Sequence, residues 1–303
     1  MTVKIDRRNL LKSSLALPLI SAVCISDNAS AQTNKTPKRI KTSICAYSYR
    51  KYLPEANKKG TMTLDEFLEL AAQLGVDGIE LTFYYFPNYP NKCSDEFLYQ
   101  LKRKAFLLGL EINGTAVGNN FCLADKDKLQ EEINRVKTWI ECASKLGAPE
   151  MRVFGGTVPR GGSEKESMKQ AVEVFQECCK HAEKYGVMLA LENHGGICTS
   201  AEQVLNIIKM VDSDWIGANL DTGNFVSDDP YKEIAMIASH TLTCHVKVTV
   251  NRRTGEKVVM KRVVNILRKV NYNGYLPIEY EETEDPMIGV PKFLGEIRKA
   301  LDG

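Results

Sequence analysis

The chain has 303 residues, 44% of them hydrophobic, with 40 Lys and Arg against 38 Asp and Glu and a formal net charge of +2 at pH 7. So even a balance offers no basic field of the kind that gathers nucleic acid or anionic lipid. The length suits one barrel-sized domain, and no linker-like composition interrupts it.

At the start, Arg7-Arg8-Asn9-Leu10-Leu11-Lys12 precedes an apolar run through Leu15, Leu17, Leu19, Ile20 and Val23, which looks like a twin-arginine export signal. Ala29-Ser30-Ala31 offers a small-residue cleavage site before Gln32. Residues 1–31 therefore read as a removable signal, 32–39 as a short linker and 40–303 as the folded domain, with the periplasm as the expected location. Pro18, Ser21, Asp27 and Asn28 break the apolar run well short of the ~20 residues that span a bilayer, so no stable membrane insertion is expected after cleavage. Val23 is bulky for the position before a lipidated cysteine, which argues against a lipoprotein signal ending at Cys24. Cleavage removes Lys4, Arg7, Arg8 and Lys12 together with Asp6 and Asp27, and the net charge falls from +2 to zero. The eight remaining cysteines show neither a CxxC pair nor small-protein disulfide spacing and read as buried small hydrophobes.

Short apolar runs alternate with longer amphipathic ones eight times. The strand candidates are 40–46, 78–83, 110–115, 151–154, 187–193, 216–221, 242–248 and 275–280. Each is followed by a helix candidate. The clearest are 125–146, with Leu129, Ile133, Val136 and Ile140 on one face, and 165–185, with Met168, Val172, Phe175 and Cys179. Leu74-Gly75, Leu108-Gly109, Leu146-Gly147 and Tyr185-Gly186 place glycine where a helix must stop. An open doubly wound sheet would alternate in the same way, but eight units and no GxGxxG turn favour a single closed (β/α)8 barrel.

In such a barrel all strand C-termini point to one face, so residues far apart in sequence converge there. Glu192, Asp221, His245 and Glu279 stand at the ends of the last four strand candidates. Three carboxylates and one imidazole suit Mn, Mg, Co or Zn as a divalent ion with positions left for substrate. The absence of sulfur from the set argues against a structural zinc. Each residue alone would more often be an ion-pair partner; four at equivalent positions read as a metal site.

The chain resembles the sugar phosphate isomerase/epimerase family, the xylose-isomerase-like TIM barrels. The matching segments are DGIEL (77–81), the run from Asn120 to Gly156, LENHGG (191–196), NLDTGNF (219–225), CHVKV (244–248) and PIEYE (277–281). The resemblance implies that Glu192, Asp221, His245 and Glu279 are the metal ligands. It further implies that Glu192 and Glu279 flank the bound sugar, one removing a proton next to a carbonyl and the other returning it through a metal-held enediolate. The sequence departs from the ketose 3-epimerase pattern at Asn224, where that group usually has histidine, and at Val248, where aspartate often follows the HVK.

Around the ligands, His194 and Lys247 each lie two residues beyond one of them and are expected to contact substrate, with support of a ligand side chain or packing as rival roles for His194 and a solvated cation for Lys247. Arg152 and Glu80 sit near the ends of strands four and two, where they pair with each other or with sugar hydroxyls. Asn224 marks an altered substrate pocket. Glu281 is in register with Glu279 or forms an ion pair at a helix start, and Trp139 and Trp215 read as core.

The reading is therefore an enzyme, a divalent-metal-dependent isomerase or epimerase of a free sugar or sugar derivative. The first alternative is a lyase or hydratase on a keto-sugar such as a 3-keto-glycoside, and the second is a non-catalytic carbohydrate-binding barrel. With four histidines and a neutral mature charge, DNA repair of the multi-metal abasic-site type is not expected. The sequence leaves homo-oligomerisation open.

Overall fold

The computed structural model describes residues 39–55 and 59–303. The expected signal, its cleavage point and all of the linker but its last residue lie outside that range. Seven strands come first: β1 (Lys41–Cys45), β2 (Gly78–Thr82), β3 (Glu111–Ala116), β4 (Glu150–Val153), β5 (Met188–Glu192), β6 (Ile216–Asp221) and β7 (Thr241–His245). A two-stranded hairpin follows, β8 (Thr249–Asn251) with β9 (Glu256–Lys257), and then the last barrel strand, β10 (Tyr275–Ile278). The helices are α1 (Leu64–Gln73), α2 (Asp95–Leu107), α3 (Lys126–Leu146), α4 (Glu164–Tyr185), α5 (Ala201–Val211), α6 (Pro230–Ile237), α7 (Met260–Lys269) and α8 (Pro286–Asp302).

Eight parallel strands run in the order β10-β1-β2-β3-β4-β5-β6-β7. The ring closes at Val246, which bridges Ile278 in parallel. Val246 N donates to Pro277 O at 2.9 Å, and Glu279 N donates to Val246 O at 3.1 Å. That seam lies directly beside His245 and Glu279, so closure of the barrel brings these two residues together. The structure is the expected TIM barrel.

The helix stops follow the expected chemistry. Gly147 and Gly186 adopt left-handed φ of 82° and 67° at the ends of α3 and α4, a conformation that costs glycine little. Thr63 and Ser200 form capping boxes with Glu66 and Gln203 at the starts of α1 and α5, satisfying amide groups that the first helical turn leaves open. Six of the eight barrel strands end one to three residues earlier than the periodicity predicts. β5 stops at Glu192, β7 at His245 and β10 at Ile278, so His194, Lys247 and Glu279 lie on the segments that lead out of the barrel mouth. The β8–β9 hairpin was not expected between β7 and α7.

Apolar and polar residues alternate along strands that are buried on both sides. Met151, Val153, Leu189, Leu191, Leu220 and Cys244 have no exposed surface and pack in the hydrophobic core. Arg152, Glu192, Asp221 and His245, one position on in each strand, are buried polar residues on the opposite, lumen side. A barrel interior of this type usually carries branched apolar layers, so polar side chains here cost burial free energy unless they are paired. Trp139 belongs to the core as expected: its ring stacks on Phe83 at 4.3 Å and Nε1 donates to Pro90 O at 3.2 Å. Trp215 is partly buried against the same core. Eight cysteines are buried and unbridged among the described residues.

Candidate active site and metal centre

Glu192 ends β5, Asp221 ends β6, His245 ends β7, and Glu279 follows β10. Register sets their spacing, with Glu192 opposite Asn219 across β5 and β6 and Asp221 opposite His245 across β6 and β7. One ligand atom from each of the four lies within 4.8 Å of the others, and all four residues are buried. The barrel thus brings together the four residues expected from the sequence.

Each member is held by a specific partner. Glu192 Oε2 is 3.2 Å from Arg152 Nε, and Glu192 Oε1 accepts from Asn224 Nδ2 at 2.9 Å. Asp221 Oδ1 accepts from Gly223 N at 2.7 Å, whereas Asp221 Oδ2 is buried and faces Lys247. Lys247 Nζ lies 3.0 Å from both Asp221 Oδ2 and Glu279 Oε2 and 2.6 Å from Glu281 Oε2. His245 Nδ1 faces Glu279 Oε2 at 3.8 Å and Asn219 Nδ2 at 3.2 Å.

Burial pushes Asp221 up to about 7 against the pull of Lys247, and it raises Glu192 against Arg152. Burial would raise Glu279 too, but Lys247 and His245 outweigh it and hold that carboxyl well below the usual range. Desolvation likewise opposes charge on His245, yet Glu80 prevails and brings the imidazole up to about 10. Four carboxyl groups around one centre (Glu192, Asp221, Glu279 and Glu281) call for cations, and Lys247, Arg152 and His245 lie among them. Three hard oxygens and one imidazole nitrogen fit a divalent ion as well.

A cavity of about 210 Å³ opens onto this centre. Glu192, Glu279, Lys247 and Glu281 line its charged side together with Arg152. Tyr47, Tyr84, Phe154 and His194 complete it. The guanidinium of Arg152 lies 4.0 Å over the Phe154 ring, and His194 packs 4.6 Å from the same ring while keeping an exposed edge at the mouth. Partial desolvation, then Arg152, holds His194 below its ordinary proton affinity.

Of the expected substrate contacts, His194, Lys247 and Arg152 line the cavity. Asn224 is buried beside it, bridging Glu192 and Lys247, whose Nζ is 3.4 Å from Asn224 Oδ1. Glu80 lies elsewhere. It is fully buried, does not line the cavity and does not pair with Arg152; its partners are His245 and Cys45. Arg152 turns to Glu192 because both extend from neighbouring strands toward the same end of the lumen. Glu281, read as a helix-start group or a register partner of Glu279, is an ion-pair partner of Lys247. Tyr47, Tyr84 and Phe154 went unnoticed in the sequence, although each follows a strand end within two residues, where the functional loops of this architecture begin.

Known proteins with this architecture include a D-psicose 3-epimerase from Clostridium cellulolyticum H10, solved with D-tagatose. It superposes with a TM-score of 0.68 at 20% identity over 87% of this chain and 97% of its own. A 3-keto-D-glucoside 4-epimerase from E. coli superposes with a TM-score of 0.68 at 14% identity over 86% of this chain and 100% of its own, so the likeness to both is one of fold. In sequence, an inosose isomerase from Bacillus velezensis is 30% identical over 175 residues, which span 56% of this chain and 61% of that relative's length. The sequence pattern of one family matches residues 68–297, from α1 into α8, and the chain belongs to that family, the xylose isomerase-like TIM barrels.

Proposed function

We propose that the chain is an isomerase or epimerase of a free sugar or sugar derivative that moves a proton at a carbon next to a carbonyl. The observation that carries this reading is the pair Glu192 and Glu279, two buried carboxylates from different strands that line one cavity and belong to one ligand-atom cluster. Glu192, Asp221, His245 and Glu279 would hold a divalent cation, which when bound supplies Lewis-acid polarisation of a carbonyl and acidifies the adjacent C–H. Either glutamate, positioned at the cavity wall, removes the proton, and the other returns it on the opposite side. Lys247 and Arg152 neutralise the charge that these carboxylates and the substrate oxygens concentrate in a water-poor site. His194, with Tyr47, Tyr84 and Phe154, orients the sugar ring at the mouth.

A second reading, elimination from a keto-glycoside, is favoured by Lys247 and His194. Both line the cavity, Lys247 carrying a proton for a departing oxygen and His194 an imidazole that can hydrogen-bond it. One experiment separates the two. Protein loaded with Mn²⁺ is incubated in deuterated water with free ketoses and 3-keto-glycosides. Deuterium uptake at one carbon without aglycone release is the expected result; aglycone release supports elimination, and neither event on any sugar refutes both readings.

The relatives named above act on small sugars, and export would place this chain among free sugars in the periplasm. Replacing Arg7 and Arg8 by lysines should leave precursor in the cytoplasm, whereas unimpaired export would remove the twin-arginine route from the account.

A further inference from the structure

Glu80 sits on β2 with no exposed surface and does not line the substrate cavity. Glu80 Oε2 lies 2.5 Å from His245 Nε2, a contact across the barrel between residues 165 apart in sequence. Glu80 Oε1 accepts from Cys45 Sγ at 3.1 Å, and Cys45 Sγ is 3.5 Å from Thr82 Oγ1. Cys45 and Glu80 are register partners across β1 and β2, so the sheet itself fixes the thiol beside the carboxylate.

The direction of these bonds matters. With Glu80 Oε2 as the acceptor, the short contact takes a proton on Nε2 of His245. The imidazole then turns its other nitrogen, Nδ1, toward Glu279 and Asn219. Without Glu80, rotation about the Cβ–Cγ bond or a change of tautomer would present the wrong nitrogen to the ligand cluster. A carboxylate behind a ligand imidazole also strengthens the ring as a donor.

Cys45, Glu80 and His245 are themselves close enough to hold an ion. Burial raises the Cys45 thiol well above its ordinary value, which favours a thiol that donates to Glu80 over a thiolate ligand.

We infer that Glu80 is a positioning residue for His245: it fixes the rotation and the protonated nitrogen of the imidazole, and Cys45, itself in contact with Thr82, holds Glu80 in turn. This rests on the reading of Glu192, Asp221, His245 and Glu279 as a divalent cation site.

The test titrates metal-free protein with Mn²⁺, following free Mn²⁺ by electron paramagnetic resonance. In parallel, ¹⁵N-histidine NMR of the metal-free protein reports which ring nitrogen of His245 carries the fixed proton. Glu80→Leu should weaken Mn²⁺ binding about 10- to 100-fold, the usual cost of losing such a partner. It should also release the Nε2 proton to exchange between the two nitrogens. Glu80→Gln keeps an acceptor for Nε2 and loses the charge, so its affinity should fall between wild type and Glu80→Leu, with the Nε2 proton retained. A folded Glu80→Leu protein that binds Mn²⁺ as tightly as wild type overturns the inference. If Glu80→Leu does not fold, a Glu80→Gln protein equal to wild type in Mn²⁺ affinity overturns it instead. Failure of wild type to bind Mn²⁺ would refute the cation site, whereas the His245 spectra of wild type and Glu80→Gln would still decide what Glu80 does to the ring.

Discussion

Arg152→Met replaces the guanidinium under the cavity with an apolar chain of similar length. Arg152 is 3% exposed and Glu192 2%, so the pair is screened by almost no water. The substitution removes the 3.2 Å contact to Glu192, the 3.1 Å hydrogen bond from Nη1 to Val117 O, and the stacking on Phe154. Breaking one partner out of a buried ion pair costs about 3–5 kcal/mol. Glu192 keeps the Asn224 bond and can take up a proton, which places the expected loss near the lower end, at about 3 kcal/mol. For a chain of this size that corresponds to a fall of roughly 6–12 °C in melting temperature. The assay is urea and thermal unfolding in chelator and again in Mn²⁺. A cation on Glu192 supplies the charge that Arg152 no longer does, so the loss should shrink in Mn²⁺. Adding Glu192→Gln to Arg152→Met should recover part of the loss, because the stranded charge is then gone. A loss below about 1 kcal/mol in chelator, or a double variant that costs the full sum of the two singles, would refute the reasoning.

Glu192→Gln and Glu279→Gln, assayed in excess Mn²⁺ with metal content checked, should each lose turnover about a hundredfold or more, the scale of acid/base contributions. His194→Ala should instead raise KM with metal retained; loss of metal in that variant would mean that the ligand set is wrong. Glu150 is a different case. Both its carboxylate oxygens are buried without a partner, the carboxyl fills the space that the missing side chain of Gly114 leaves, and burial raises its proton affinity well above the ordinary 4.5. The folded protein therefore holds a proton there that the unfolded chain releases. That stability is fully present below the unfolded value and is lost as pH rises toward the folded one, by up to about 1.4 kcal/mol per pH unit. Glu150→Gln should gain on wild type as pH is raised from 5 to 8 in urea unfolding, and parallel profiles would contradict this.

Much of the architecture was legible because the physics that makes it is local. Glycine after Leu146 and Tyr185 marks helix ends, and β-branched runs between amphipathic stretches mark strands. The four candidate ligands were legible because a barrel converts sequence position at a strand end into spatial convergence. The β8–β9 hairpin carries a readable turn signal at Thr254-Gly255, where Gly255 takes a φ of 71°, but it lies beyond the seventh strand candidate, which ends at Val248. The role of Glu80 was not legible. Its position near the end of β2 gave no hint of whether the side chain meets substrate, Arg152 or His245, since that depends on packing across the lumen. The pairing of Arg152 with Glu192 is hidden for the same reason, for it joins neighbouring strands through side-chain reach rather than through spacing in sequence.

The most direct measurement is anomalous diffraction from crystals of the full chain soaked in Mn²⁺. The account predicts one strong peak, about 2.0–2.6 Å from oxygens of Glu192, Asp221 and Glu279 and from Nδ1 of His245. A peak on Cys45, Glu80 and Nε2 of His245, or no peak at the barrel mouth at saturating metal, would contradict it.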